Sequence, residues 1–391
     1  MAKKVEILIP SYVLGFKCIG GDCEDSCCIG WDIDIDKLTF RKYFRTQNVE
    51  MKKEFSKYVY TNEACDSEDV DYGRLRIKDN KWCPFLNDKK LCNIYTNLGE
   101  EYLSNVCHSY PRLYNILDGV YEMSLFMSCP EAVRQLMTSK DPIKFTSQKV
   151  TLDKFIVHSY IETKDPQWKN TPIESLKSMR SKSIKTIQNR KLSIEERLLE
   201  LGNELSRTDN YIEQLLAGIE VDHHDKFQMA FFKDTIDSLH VFEEIDSPVF
   251  KALTKKVLKS FHIDDDHNLS EQTLVYNKAI KEVLDPFMEQ NSYMFEHYLT
   301  NFMFQGNFPF TENQSSFDGY LMLVIRYTFL RFYLTGVGYY NGRITEEDVV
   351  ELIQVYTKVI EHHKTFIIDL LQELKLKEFD TMDFITKLLR R

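Results

Sequence analysis

Apolar and polar positions alternate in the first third of this chain and recur at helical spacing in its second half. Residues 5–16 have strand character and end at Gly15. Trp31-Asp-Ile-Asp-Ile-Asp36 alternates strictly, which predicts a strand with Trp31, Ile33 and Ile35 on one face and a solvated row of aspartates on the other. Residues 37–60 are helix-like and charged, and residues 61–71 form an acidic loop. Alternation returns in Arg74-Leu-Arg-Ile-Lys78, residues 97–106 read as a short helix, and residues 121–127 alternate weakly. From Leu192 onward the period is helical, over 192–219, 227–241, 249–261 and 274–284. Thr345-Glu-Glu-Asp348 predicts a capped helix through His362, and Asp380 a cap for a last helix over 384–390. The fold class expected is α+β: a small cysteine-rich N-terminal module over 1–145, a linker over 146–190 and a mostly α-helical domain over 191–391. The linker assignment rests on the polar stretch 163–170 and the Lys- and Ser-rich run 175–190, taken as a hinge.

Composition narrows the function classes. A chain of 391 residues with 43% hydrophobic and 28% charged content fits a soluble globular protein of two or three domains. Its formal net charge is −10, and residues 1–140 carry 19 basic against 21 acidic side chains. No basic tract is available to neutralise phosphates, so no nucleic-acid partner is expected. The most apolar stretch, 317–340, is crossed by Asp318, Arg326 and Arg331, which argues against a membrane span. Near the N-terminus, Glu6 and Pro10 break the apolar run after Lys3 and Lys4, so no signal peptide and a cytoplasmic location are expected.

In that reducing compartment cysteines are thiols or metal ligands rather than disulfides. All nine lie between residues 18 and 129. Four crowd into Cys18-Ile-Gly-Gly-Asp-Cys23-Glu-Asp-Ser-Cys27-Cys28, a Gly- and Asp-rich loop that a bound metal can order. Cys83, Cys92, Cys107 and Cys129 follow singly, each in a distinctive setting, whereas Cys65 has none and is set aside. Thiolate is a soft ligand suited to Zn²⁺ and iron–sulfur clusters. The eight remaining cysteines are the pool of candidate ligands, with Cys27 and Cys28 too close in sequence for both to reach one ion without strain. Neither the paired C-x2-C of zinc knuckles nor the C-x3-C-x2-C spacing of radical S-adenosylmethionine chemistry occurs. The Asp32, Asp34, Asp36 row fails as a Ca²⁺ loop because Lys37 stands where glycine is required.

Other clusters are weaker. His223-His224 and the pair His262 and His267 sit in polar surroundings typical of helix ends and are read as solvated. No H-E-x-x-H, P-loop or Rossmann glycine motif is present. Residues 292–310 and 320–340 are rich in Tyr and Phe at helical spacing, with Pro309 stopping the first run. Arg326 and Arg331 lie in apolar surroundings and need acidic partners or an anionic ligand, with Glu296 a candidate partner.

These residues resemble the flagellin lysine-N-methylase family, whose N-terminal part belongs to the CxxCxxCC group of zinc- or iron-chelating domains. The resemblance is carried by Phe16-Lys-Cys18, Asp22-Cys23, Ser26-Cys27-Cys28, Gly30-Trp31, Cys83-Pro-Phe-Leu86, Leu91-Cys92, Cys107 with Tyr110-Pro-Arg112, and Ser128-Cys129-Pro-Glu131. It continues at Phe295-Glu296-x-Tyr298-Leu299 and Asn307-Phe-Pro-Phe310, with His108 a small departure. The resemblance implies methyl transfer from S-adenosylmethionine to lysine side chains of flagellin, beside a [4Fe–4S] cluster held by the cysteine pool, with zinc as the alternative. Glu296, Tyr298 and Arg326 are the catalytic candidates along the aromatic helices of 292–340. The competing reading is an iron–sulfur or metal-chelating redox sensor without methyltransferase activity, to which a long second domain would be superfluous.

Overall fold

Strand β1 (Lys3–Pro10) runs antiparallel to a late strand along its whole length, and this pairing organises the first half of the computed structural model. The structure describes residues 3–206, 224–264, 267–362 and 364–390. It divides into two compact units, one of Met1–Gln135 with Lys144–Glu162, the other of Leu136–Ile143 with Thr163–Arg391.

In the first unit β1 is followed by β2 (Asp34–Ile35), α1 (Lys37–Arg45), α2 (Val49–Tyr58), β3 (Val59–Thr61) and β4 (Gly73–Leu75). Then come α3 (Asn93–Leu98), α4 (Asn105–Ser109), β5 (Arg112–Leu117), β6 (Val120–Leu125), α5 (Pro130–Met137), β7 (Phe145–Leu152) and β8 (Val157–Ile161). A five-stranded sheet has the order β7-β1-β6-β5-β8 and a three-stranded one the order β2-β4-β3. Leu117 pairs with Val120 around Asp118-Gly119, both at positive φ, the two-residue turn that Asp-Gly favours because it matches the strand twist. Helix α1 starts on the Asp36 side chain, which accepts from the Thr39 amide, and α2 starts in the same way on Asn48.

Several expectations are corrected here. The alternating run 31–36 yields only two strand residues: Ile33 and Ile35 are buried, but Trp31 is 37% exposed. Nor are its aspartates a solvated row. Asp36 is buried as a cap and also accepts from the Asn105 amide at 2.9 Å, while Asp34 pairs with Arg74 at 3.0 Å. The helix of 37–60 is two helices, broken between their caps, and that of 97–106 is resolved into α3, a 3₁₀ turn and α4. Within 146–190, expected as linker, lie β7, β8 and a helix. β7 hides in the sequence because most of its residues stay exposed on the sheet's edge, so no apolar alternation marks it.

The second unit is helical: α6 (Leu176–Ile187), α7 (Ile194–Ser206), α8 (His224–Ser238), α9 (Pro248–Ser260), α10 (Leu269–Ala279), α11 (Asp285–Gln305), α12 (Ser316–Asn341), α13 (Glu346–Tyr356), α14 (Lys364–Leu376) and α15 (Met382–Leu389). Residues 207–219 of the expected helix over 192–219 lie outside the described residues, as does His223. Helix α12 is buried on every side from Ser316 to Gly338 and packs against α7, α9, α10, α11, α13 and α15. That explains its uninterrupted apolar run: a helix apolar all round is a core helix here. The loop after α11 crosses it so closely that a Cβ on Gly319 would lie 1.7 Å from the Pro309 carbonyl oxygen. Helix α11 ends at Gln305 with Gly306 as its cap, ahead of Pro309. The Thr345–Asp348 capping box forms as expected, but Thr381 rather than Asp380 caps α15. Two π-helical turns interrupt the regular spacing, Ile280–Leu284 and Thr357–Glu361, the second continuing α13.

Candidate active site and metal centre

The cysteine segments converge around the small core of the first unit. Ile29 bridges to Trp82, and the Cys83 amide donates to the Cys28 carbonyl at 2.9 Å, so the Cys27-Cys28 stretch runs against the Cys83 stretch. Leu86 bridges to Cys92 within one tight loop. Cys107 rides on α4, whose Ser104 cap accepts from the Cys107 amide. Cys83 is buried in the core of Ile33, Ile35, Tyr43, Phe55 and Phe85, and Cys28, Cys92 and Cys107 pack against the same core. Cys129 precedes α5, its carbonyl accepting from Val133. Cys18 and Cys27 are exposed and Cys23 is half-buried. Cys65 sits apart in the acidic loop, its thiol 3.5 Å from Asp71 Oδ1.

The thiols feel one another. Burial pushes Cys83 up to about 12, and Cys92 adds to the shift. Burial likewise raises Cys107, with Cys83, Cys92 and Cys27 contributing. Cys28 is raised first by a hydrogen bond with the Cys27 side chain and then by burial. Cys129 rises to about 12 through burial, with Cys23 and Cys27 adding. Each of these thiols therefore holds its proton at neutral pH until a cation replaces it. Among the described residues, no three Cys, His, Asp or Glu side chains already close on one point as a metal's ligands do. In softness, number and crowding the donors fit a thiolate-bound zinc or iron centre, and the side chains must rotate to close on it.

In the helical unit the three expected catalytic residues separate. Positions two apart on a helix face different sides, so Glu296 and Tyr298 of α11 diverge. Glu296, fully buried, accepts from Arg190 at 2.8 and 2.9 Å and from Arg197 at 2.9 Å. It is an ion-pair hub tying α11 to α7 and the segment before it, and it is not the partner of Arg326 or Arg331. Arg331 instead meets Glu195 at 3.0 Å and donates to the Leu388 carbonyl at 2.8 Å, closing the C-terminal end of α15. Its burial needs no anionic ligand.

Tyr298 and Arg326, by contrast, are brought together by a residue the sequence reading passed over. The Tyr298 hydroxyl donates to Glu361 Oε1 at 2.6 Å, and Arg326 Nε lies 3.4 Å from the same oxygen. Arg326 Nη2 lies 2.7 Å from Glu312 Oε1, and its guanidinium stacks 4.5 Å from the Phe302 ring centre. Burial works against the Arg326 charge, but Glu312 and Glu361 outweigh it and hold its pKa above the ordinary value. Burial, reinforced by Glu361, raises the Tyr298 hydroxyl, which remains a proton donor. Glu361 occupies the π turn after α13, where the wider spacing shifts side chains off the helical period. Periodicity therefore gave it no signal. Of the histidines read as solvated, His262 and His267 stack at 4.6 Å, and the Gln272 amide binds both their carbonyls.

Comparison with known proteins adds three findings. Residues 180–388 match a family model described as FliB lysine N-methylase C-terminal domain, and residues 17–130 match CxxCxxCC, described as "Putative zinc- or iron-chelating domain". The chain is 20% identical over 380 residues to the Lysine-N-methylase of Salmonella typhimurium, covering 92% of this chain and 93% of that protein, and equally to that of Salmonella choleraesuis. It is 26% identical over 161 residues to the Flagellar biosynthetic protein FliU of Salmonella muenchen, covering 41% of this chain and 94% of that one. No solved structure matches.

Proposed function

The chain belongs to the FliB lysine N-methylase family and is a protein-lysine N-methyltransferase, and we propose that it methylates surface lysines of flagellin with S-adenosylmethionine as donor. The observation that carries the substrate is the flagellar name of the relative matched over 161 residues, together with a methylase match that spans both units. The reaction needs a neutral amine, although a free lysine has a pKa near 10.4. The lysine ammonium first releases one proton to solvent; the nitrogen lone pair then attacks the sulfonium methyl, the N–C bond forms, and the C–S bond breaks with its electrons passing to sulfur. This is a two-electron displacement in which positioning supplies much of the rate. The largely buried cluster of Tyr298, Arg326, Glu312 and Glu361, with the Phe302 face beside it, supports this reading because it combines aromatic walls with fixed acceptors. Glu296 is a positioning residue that holds α11 in place.

The cysteine pool of Cys18, Cys23, Cys27, Cys28, Cys83, Cys92, Cys107 and Cys129 supplies the ligands of the metal centre, an iron–sulfur cluster in this reading and zinc in the alternative. When bound, that centre supplies order to the loop of residues 17–30, which buries little of its own. The test is to incubate the anaerobically purified chain with flagellin and methyl-labelled S-adenosylmethionine, with and without a one-electron reductant. Label on flagellin and S-adenosylhomocysteine in both tubes supports polar transfer. Dependence on reductant, with 5′-deoxyadenosine formed, refutes it, and no label in either tube favours the metal-chelating sensor.

A further inference from the structure

The buried charges around Arg326 do not balance. Two carboxylates, Glu312 and Glu361, face one guanidinium whose side chain is 4% exposed, and both tyrosines nearby, Tyr298 and Tyr356, are protonated. A largely desolvated cluster with one negative charge in excess is costly unless a cation completes it. Among the described residues, Arg326 is the one cation that pairs with Glu361.

The two oxygens of Glu361 differ. Oε1 is held by the Tyr298 hydroxyl and Arg326, whereas Oε2 meets no donor among the described residues. The side chain is 14% exposed, so this oxygen sits at the edge of the cluster rather than sealed inside it. The neighbouring polar groups are also incompletely used: Arg326 Nε and the Thr357 hydroxyl are buried without a directed hydrogen bond. A carboxylate fixed through one oxygen and open at the other is an oriented acceptor for a reactant's N–H.

We propose that Glu361 Oε2 receives the amino group of the substrate lysine, so that Glu361 is a substrate-recognition and catalytic residue while Tyr298 and Arg326 position it. The inference rests on the lysine-methylation reading above. Glu361 selects the lysine ammonium by charge and orients the amine once its proton has left. The α-amino group of S-adenosylmethionine offers the same chemistry, and the experiment separates the two sources.

Binding of a lysine-containing flagellin peptide to the full-length protein is measured against the same peptide with norleucine in place of lysine. The wild type should bind the lysine peptide roughly tenfold more tightly or better, as expected for a charge-assisted pair. In Glu361→Gln that preference should vanish and Kd for the lysine peptide should rise by a similar factor, while S-adenosylhomocysteine binds as before. Equal binding of the two peptides by the wild type overturns the proposal, and this arm does not depend on how the variant folds. Loss of S-adenosylhomocysteine binding in Glu361→Gln with peptide Kd unchanged also overturns it, assigning the oxygen to the donor. Because these arms read binding without turnover, they remain informative even where wild-type protein fails to methylate flagellin.

Discussion

The Tyr298 hydroxyl donates a 2.6 Å hydrogen bond to Glu361 Oε1, joining α11 to the π turn that follows α13. Tyr298→Phe keeps the ring and removes this one donor. A hydrogen bond to a charged acceptor contributes about 1.5–3 kcal/mol, so the variant should lose about that much unfolding free energy and unfold at a lower urea concentration. Methyl transfer should fall as well, because Glu361 is then held by Arg326 alone. Unchanged urea midpoint and unchanged turnover would contradict both roles.

Glu296 is expected to behave differently from Glu361. Its carboxylate is fully buried between Arg190 and Arg197, so Glu296→Ala strands at least one guanidinium, and breaking such a pair costs about 3–5 kcal/mol. The two arginines are unequal: the Arg197 side chain is 5% exposed and that of Arg190 38%. Arg197→Ala should therefore lower stability more than Arg190→Ala, whose charge is screened by solvent. Chemical denaturation of the three variants checks the order.

His297, next in sequence, is a source of acid sensitivity. Its ring nitrogens each lie 3.0 Å from a carbonyl oxygen, those of Leu136 and Asp141. Burial lowers its pKa and outweighs the opposing pull of the Leu136 bond and Glu296. In the unfolded chain the pKa returns to about 6.5. Above that pH both states are neutral and His297 adds no pH dependence. Below it the unfolded state binds the proton first, so stability falls as pH falls from about 6.5 toward the lowered folded value. Urea midpoints between pH 8 and 5 should drop less steeply for His297→Gln than for the wild type, and parallel curves would contradict this.

What the sequence disclosed follows from which signals are local. Caps and periodic faces are local, so the Thr345–Asp348 box and the helices from α7 onward, α14 excepted, were legible, as was the burial of Ile33 and Ile35. β7 was not, because it earns its place through pairing with β1, more than 130 residues away, with little apolar patterning of its own. β5 was missed although Asp118-Gly119 announced its turn. At the candidate site Tyr298 and Arg326 were found through their setting in aromatic helices. Their partners were not, since Glu312 lies in a loop and Glu361 on a π turn, where no spacing rule applies. Pairing Glu296 with Arg326 or Arg331 failed for the same reason: helical facing divides charges among neighbours that only the packing reveals.

The cysteines provide a prediction independent of methylation. Cys83 lies in the core against which Cys28, Cys92 and Cys107 pack, whereas Cys65 contacts Asp71 in the acidic loop. Metal analysis after anaerobic purification should find full loading in Cys65→Ser and reduced loading in Cys83→Ser. On the proposal that a bound metal orders the loop of residues 17–30, chelation should also lower the melting temperature of the wild type. Equal loading of the two variants would contradict the assignment of the pool.

The most direct measurement is intact-protein mass spectrometry of flagellin incubated with the anaerobically purified, metal-loaded chain and S-adenosylmethionine. Increments of one CH₂, mapping to surface lysines and matched by S-adenosylhomocysteine, are predicted, with rates rising toward alkaline pH as lysine loses its proton. Flagellin of unchanged mass, with the enzyme folded and loaded, would contradict flagellin as the substrate.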